Sequence, residues 1–307
     1  MVSLKELSKN VERITPGHRL CAGCAVGALV RQTLIAVGNT NVVVTSATGC
    51  LEVSTTIFPY TAWKVPFFHS AFENSAATCS GVESAYKSLK TQGKIKDDIR
   101  FIAFGGDGGT YDIGLQSLSG AMERGHRMLY ICYNNEAYMN TGIQRSSATP
   151  KGAHTTTAPV GKIRQGKEQY RKNLTQIIIA HNIPYVAQSY VGNWNDFMQK
   201  VQKALSINGP SFINVLTPCR LGWNYDPKDT MEVARLAVET CIWPSYEVEK
   251  GVYKINVIPQ KKKSVTEFLK MQGRFKHLFN SSNANIIDEI QSNVDKEWNS
   301  LQLKAAV

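Results

Sequence analysis

The sequence predicts an α/β protein built on a doubly wound, mostly parallel sheet, and three observations carry that prediction. Five short runs rich in Val, Ile and Phe, at residues 41–46, 100–104, 128–133, 185–188 and 212–216, are bounded by turn residues, as strands buried on both faces are. Helical patterns lie between them, at 73–90, 115–123 and 194–205. Strands alternating with helices indicate a doubly wound sheet, whose ligands sit beyond the carboxyl ends of the strands. A glycine-rich turn, Gly105-Gly106-Asp107-Gly108-Gly109, stands at one such end.

Taken in order, the chain begins with a charged, mixed stretch that has no apolar segment of the secretory kind. Cys21-Ala-Gly-Cys24 precedes a helix starting near Ala25, and the first strand runs into Thr48-Gly49-Cys50. The second strand runs into the glycine turn, and the third is followed by Asn134-Asn135. Residues 141–169 form a long polar segment rich in Gly, Ser, Thr and Pro, a length that in a compact domain often signals function. The last strand leads to Thr217-Pro218-Cys219, and the sheet pattern is expected to end by Pro244. Ile286, Ile290, Val294, Trp298 and Leu301 then recur every three to four residues, marking an amphipathic helix that packs on this chain or on a partner. The expected organisation is an α/β domain over 1–260 and a C-terminal helical extension over 261–307.

Bulk composition narrows the function classes. At 307 residues and 43% hydrophobic, the chain can bury a sizeable core. No run of about 18 apolar residues predicts a membrane span, and a cytoplasmic location is expected. There the seven cysteines are ligands or core residues rather than disulfides. The net charge of +11, with basic stretches at 162–172 and 261–263, fits a merely solvated surface or an acidic electron-carrier partner. No nucleic-acid-binding signature accompanies it.

Glycines in the Gly106–Gly109 turn let a backbone approach a phosphate closely and expose its N–H groups. Asp107 within that turn suits Mg²⁺, a hard cation that prefers carboxylate, carbonyl and phosphate oxygens. Neighbouring strand ends can deliver Asp107 and Asn135 to one metal. The pair Gly-Asp-Gly and, about 25 residues on, Asn-Asn resembles the thiamine-diphosphate signature of transketolases, decarboxylases and 2-oxoacid oxidoreductases. By that resemblance Asp107, the Asn135 side chain and the Ala137 carbonyl ligate Mg²⁺. Gly49, Gly106, Gly108, Gly109 and Thr141 would border the cofactor, Asn140 would lie near the diphosphate or reacting centre, and the long loop would cover it.

Cys21, Cys24, Cys50 and Cys219 all occupy loop or strand-end positions that one rim of the sheet can gather. Four thiolates bind zinc or an iron–sulfur cluster. Two distant single cysteines beside one C-x-x-C favour the cluster, whereas Cys79, Cys132 and Cys241 read as structural.

Larger segments carry a more specific likeness. Residues 17–24, 47–53, 58–64 and 71–74, the stretch from Gly106 to Gln116 and that from Asn135 to Ser147 together resemble the β subunit of four-subunit pyruvate:ferredoxin oxidoreductases, over roughly residues 15–225. The resemblance implies a thiamine-diphosphate-binding fold carrying a [4Fe-4S] cluster on the four cysteines. It also implies oxidative decarboxylation of a small 2-oxoacid, transfer of electrons to ferredoxin, and an acyl group passed to coenzyme A. Partners would be a chain bearing the pyrimidine-binding thiamine domain and its activating glutamate, and a ferredoxin-like cluster subunit. Glu52, Glu73 and Glu136 are not expected to replace that glutamate. Two departures bear on substrate. His154 stands where pyruvate enzymes carry Trp, and as a pocket residue it would suit an anionic substrate such as oxalate; Arg220-Leu221 follows the last cysteine in place of Pro-Thr. A non-redox thiamine lyase and a zinc-stabilised binding module are the competing readings.

Overall fold

The structure is a computed structural model that describes residues 4–306; residues 1–3, where the charged N-terminal stretch begins, and residue 307 lie outside the described residues. Eight strands form one sheet: β1 Asn41–Ala47, β2 Phe67–Ser70, β3 Ile99–Gly106, β4 Leu129–Asn134, β5 Tyr185–Tyr190, β6 Ser211–Leu216, β7 Tyr246–Glu249 and β8 Val252–Ile255. Their spatial order is β2-β1-β3-β4-β6-β5-β7-β8. The five pairings among β1–β6 are all parallel, and β7 pairs antiparallel with both β5 and β8.

Alternate side chains of the central strands enter two apolar layers. Ile102, Phe104, Ile131, Tyr133, Ile213 and Val215 pack on one face, while Phe101, Ala103, Tyr130, Cys132 and Phe212 pack on the other. Burial on both faces explains why these strands read as continuous apolar runs rather than as an alternation. Helices Ala25–Val37, Ser75–Thr91, Leu115–Glu123 and Trp194–Ser206 occupy the expected stretches.

Two expectations are corrected. The short edge strand β2, Phe-Phe-His-Ser with one buried residue, carries no apolar run to announce it. The sheet also does not end at Pro244. Tyr246 and Val248 turn inward in β7, and Lys250-Gly251, with φ of 49° and 84°, makes the two-residue turn into β8. Positive φ at both central positions matches the twist of a hairpin.

The segment after residue 260 folds back on the sheet. Val265, Phe268, Phe275, Leu278, Ile290, Val294, Trp298 and Leu301 join the core layer of β1, β3 and β4. The amphipathic helix, Ala284–Ala305, therefore packs on this chain. The basic stretch at 261–263 serves this packing, since Lys262 pairs with Asp295 and Lys263 with Glu239 at 2.9 Å. No helix among the described residues is long and apolar enough to cross a membrane.

The topology creates one switch point. From β1 the chain passes to β2 on one side and to β3 on the other, so a crevice opens beyond the carboxyl ends of β1 and β3, where such sheets bind ligands.

Candidate cofactor and metal site

The crevice is lined by Thr48, Gly49 and Cys50 after β1, Phe72 after β2, Gly106–Gly109 after β3, and Tyr133, Asn135 and Ala137–Thr141 at β4. Asp107 follows β3 directly, and the chain then makes a π-helical turn, Gly108–Ile113, a feature frequent at functional sites. The glycines are needed for room. A Cβ on Gly108 would collide with the Tyr138 ring, and one on Gly109 would lie 2.8 Å from the Phe72 carbonyl oxygen.

Three oxygen-bearing groups converge at the base. One end of the Asn135 amide lies 2.8 Å from Asp107 Oδ1 and 2.8 Å from the Ala137 carbonyl oxygen. With its nitrogen there, Asn135 donates to both. With its oxygen there, three oxygens face one another at about the edge length of a Mg²⁺ octahedron, whose ligands lie about 2.0–2.1 Å from the ion. Asp107 is 1% exposed, and burial pushes its carboxyl up to about 8, against the hydrogen bonds from Ser146 and the Asn135 N–H. A buried carboxyl in that condition is suited to a cation. The Tyr133 hydroxyl, also on the crevice wall, is buried without a hydrogen-bond partner among the described residues.

The first part of the long loop packs onto this base. Ser146 Oγ donates to Asp107 Oδ2 at 2.5 Å, the Ser147 N–H to Asp112 Oδ2 at 2.9 Å, and Thr149 Oγ1 to the Glu136 carbonyl at 2.6 Å. Lys167, in the basic stretch 162–172, is buried and donates to the carbonyls of Ser147 and Thr149. Burial, with Arg145 and Arg171 nearby, pulls its ammonium down to about 8. It pins the loop instead of contributing to a basic surface. Asn140 and Thr141 stand exposed at the mouth of the crevice.

His154 is not brought to this group. It is exposed, its Nδ1 accepts from the Val160 N–H at 3.2 Å, and its own N–H donates to the Arg274 carbonyl. Glu136, whose sequence position made it a conceivable acid, has Oε1 bonded to Arg171 at 2.9 Å and Oε2 to Arg274 at 2.5 Å. Sequence reasoning missed Arg274 and Trp223, because no motif surrounds either.

The four candidate cysteines fall on the same rim. Cys24 precedes helix Ala25–Val37, Cys50 opens helix Cys50–Thr55, and Cys219 accepts from the Gly222 N–H at 3.5 Å. Burial pushes Cys24 up to about 11 and Cys50 up to about 12. Cys219 and Cys21 add to the first, and Cys219, Cys24 and Cys21 to the second. The four are thus electrostatic neighbours. Among the described residues no three His, Cys, Asp or Glu side chains are placed to hold a single metal ion. Cys79, Cys132 and Cys241 are buried in the core.

A larger cavity of about 310 Å³ lies between β5, β7 and the C-terminal helix, lined among others by Arg171, Trp243, Tyr246 and Lys304. It holds none of the converging oxygens or rim cysteines, so the chemistry is assigned to the crevice.

Residues 37–215 match the family described as thiamine pyrophosphate enzyme, C-terminal TPP binding domain. The chain is 53% identical to pyruvate synthase subunit PorB of Thermotoga maritima, over 98% of this chain and 95% of that one. It is 54% identical to the subunit of that name in Methanocaldococcus jannaschii, over 95% and 97%. Ketoisovalerate oxidoreductase subunit VorB of Pyrococcus abyssi is 45% identical over 96% and 94%. Among solved structures, 2-oxoglutarate:ferredoxin oxidoreductase from Magnetococcus marinus aligns with a TM-score of 0.57 at 19% identity, covering 74% of this chain and 81% of that one. That likeness is one of fold.

Proposed function

Since this chain belongs to the thiamine pyrophosphate enzymes and, among them, to the β subunits of 2-oxoacid:ferredoxin oxidoreductases, we propose that it binds thiamine diphosphate through Mg²⁺ held by Asp107, Asn135 and the Ala137 carbonyl. The observation that carries this is the 2.8 Å convergence of those groups at the switch point. Bound there, thiamine diphosphate supplies the nucleophilic carbon and the electron sink for decarboxylating a 2-oxoacid. The chain's own residues do the rest. Gly49 and Gly106–Gly109 leave space for the diphosphate, the Tyr133 hydroxyl offers it a buried donor, Ser146 orients Asp107, and Asn140 and Thr141 border the open side.

Cys21, Cys24, Cys50 and Cys219 are proposed to ligate a [4Fe-4S] cluster. One C-x-x-C beside two distant single cysteines is unlike the two close pairs usual for structural zinc, and that spacing supports the cluster reading. N–H groups of Val26 and Gly27 at Cys24, and of Gly222 at Cys219, favour the thiolate forms. The substrate is proposed to be pyruvate or a related small 2-oxoacid. The named relatives are pyruvate and ketoisovalerate enzymes, and His154, which suggested oxalate, stands outside the crevice.

The working unit is proposed to be a hetero-oligomer delivering electrons to ferredoxin, with the activating glutamate on another chain. Glu136 is unavailable, because both its oxygens are held by arginines. The test compares the chain alone with the chain co-expressed with its partner subunits, anaerobically, reading thiamine diphosphate, Mg²⁺, iron, and dye reduction with pyruvate, ketoisovalerate, 2-oxoglutarate and oxalate. Pyruvate-dependent reduction by the complex alone is expected. Robust turnover by the single chain would refute the shared site, and turnover only with oxalate would refute the substrate assignment.

A further inference from the structure

Glu136 sits between two of the three converging groups, Asn135 and Ala137, in a conformation that L side chains rarely adopt. Its φ is +65°, a geometry that persists only where surroundings over-determine it. The residue is fully buried. Its N–H donates to Asn134 Oδ1 at 3.0 Å, and its carboxylate is gripped on one oxygen by Arg171 and on the other by Arg274. Arg274 comes from the C-terminal segment, beyond the residues 37–215 that define the family match. It is itself 4% exposed, its Nε donates to Gln272 Oε1 at 2.9 Å, and its guanidinium lies 3.9 Å from the centre of the Trp223 ring. The Trp223 indole N–H in turn donates to the Asn135 carbonyl at 2.7 Å. Arg274 therefore reaches the Asn135–Ala137 turn by two routes, through the Glu136 carboxylate and through the indole.

Two guanidinium groups facing one carboxylate leave a buried excess of positive charge behind the turn. We infer that Arg274, acting with Trp223, is a positioning residue. It locks the Asn135–Ala137 turn so that the amide and carbonyl face Asp107. The inference rests on the proposed Mg²⁺ site. It gives the C-terminal segment, on which the family match is silent, a role in cofactor binding.

The experiment uses the assembled complex and the variants Arg274→Gln, Trp223→Phe and Asp107→Asn. Calorimetry measures the Mg²⁺ concentration that half-saturates thiamine diphosphate binding, alongside the KM for pyruvate and iron per complex. Partners of metal ligands typically govern affinity by 10- to 100-fold, so Arg274→Gln is expected to raise the Mg²⁺ requirement by about that factor. Trp223→Phe, which keeps the ring under Arg274 but removes the N–H, should raise it about tenfold. Pyruvate KM and iron content should stay within about twofold in Trp223→Phe. If Arg274→Gln does not fold, Trp223→Phe decides. A wild-type Mg²⁺ requirement in every folded variant of this pair, with only thermal stability lowered, would reduce the two residues to structural ones and overturn the inference. If Asp107→Asn also leaves the requirement unchanged, the Mg²⁺ site itself is wrong and the inference falls with it.

Discussion

Asp107→Asn separates charge from shape at the centre of the site. Asparagine has the same outline: with its oxygen toward the Asn135 N–H it still accepts there, and its NH2 can donate to the Ser146 hydroxyl oxygen, so the bonds Asp107 holds at 3.3 and 2.5 Å persist with one reversed in direction. The free protein should therefore lose no more than about 1 kcal/mol of stability, the net worth of one hydrogen bond. The cost on the ligand side is larger. Asp107 is 1% exposed, and breaking a buried ion pair by removing one partner costs about 3–5 kcal/mol. At about 1.4 kcal/mol per tenfold, Mg²⁺-dependent binding of thiamine diphosphate weakens by on the order of 10²- to 10³-fold. Thermal unfolding reads this directly. Ligand at about 100 times its Kd stabilises the wild type by about 2.7 kcal/mol, roughly a 5 °C rise in Tm for a chain of this size. At the same concentration the variant should gain less than about 1 °C. Equal ligand-induced shifts in the two proteins, with Mg²⁺ present, would refute the reasoning that Asp107 holds the metal.

Cys219→Ser should lose or convert the iron–sulfur absorbance near 400 nm while Cys241→Ser retains it; the reverse result would remove Cys219 from the ligand set. His154→Ala should change kcat/KM for pyruvate by less than about twofold, since the imidazole is exposed and outside the crevice; a loss of tenfold or more would put it back among the substrate contacts. Glu83 is 1% exposed, and although burial works against its charge, Lys87, His126 and the Arg127 N–H hold its carboxyl below the usual range. A depressed carboxyl stabilises the fold above its unfolded value, and that stability is lost as pH falls through the folded value. Glu83→Gln should thus cost about 1–3 kcal/mol at pH 7, with the gap to wild type closing below about pH 4 in denaturant titrations; a gap independent of pH would show the effect to be packing alone.

Much of the fold was legible because its signals are local. Strands β1, β3, β4, β5 and β6 are buried on both faces, so their apolar runs stand out without reference to neighbours. The strands that escaped notice obey other rules. β2 is a four-residue edge strand, and the four-residue β7 and β8 meet across a Lys-Gly turn, β7 alternating Tyr and Val with Glu. The pairing of Gly-Asp-Gly with Asn-Asn marked the proposed metal site because each half ends a strand, and parallel register levels Gly106 with Tyr133. What the sequence could not assign was His154, whose position in a resemblance suggested a pocket residue while its backbone places it on an exposed loop.

By itself, then, the sequence determined the five central strands, the residues at their ends and the chemistry proposed for those residues, since each depends on periodicity and spacing within some thirty residues. Tertiary structure alone decided how those residues are held. The Arg274 guanidinium meets Glu136 from 138 positions away, and the Trp223 indole meets the Asn135 carbonyl from 88. A lone arginine and a lone tryptophan have no period or spacing to read. Their meaning arises only when packing removes water from around a buried carboxylate and a carbonyl, and those groups must then find partners wherever the fold can bring them.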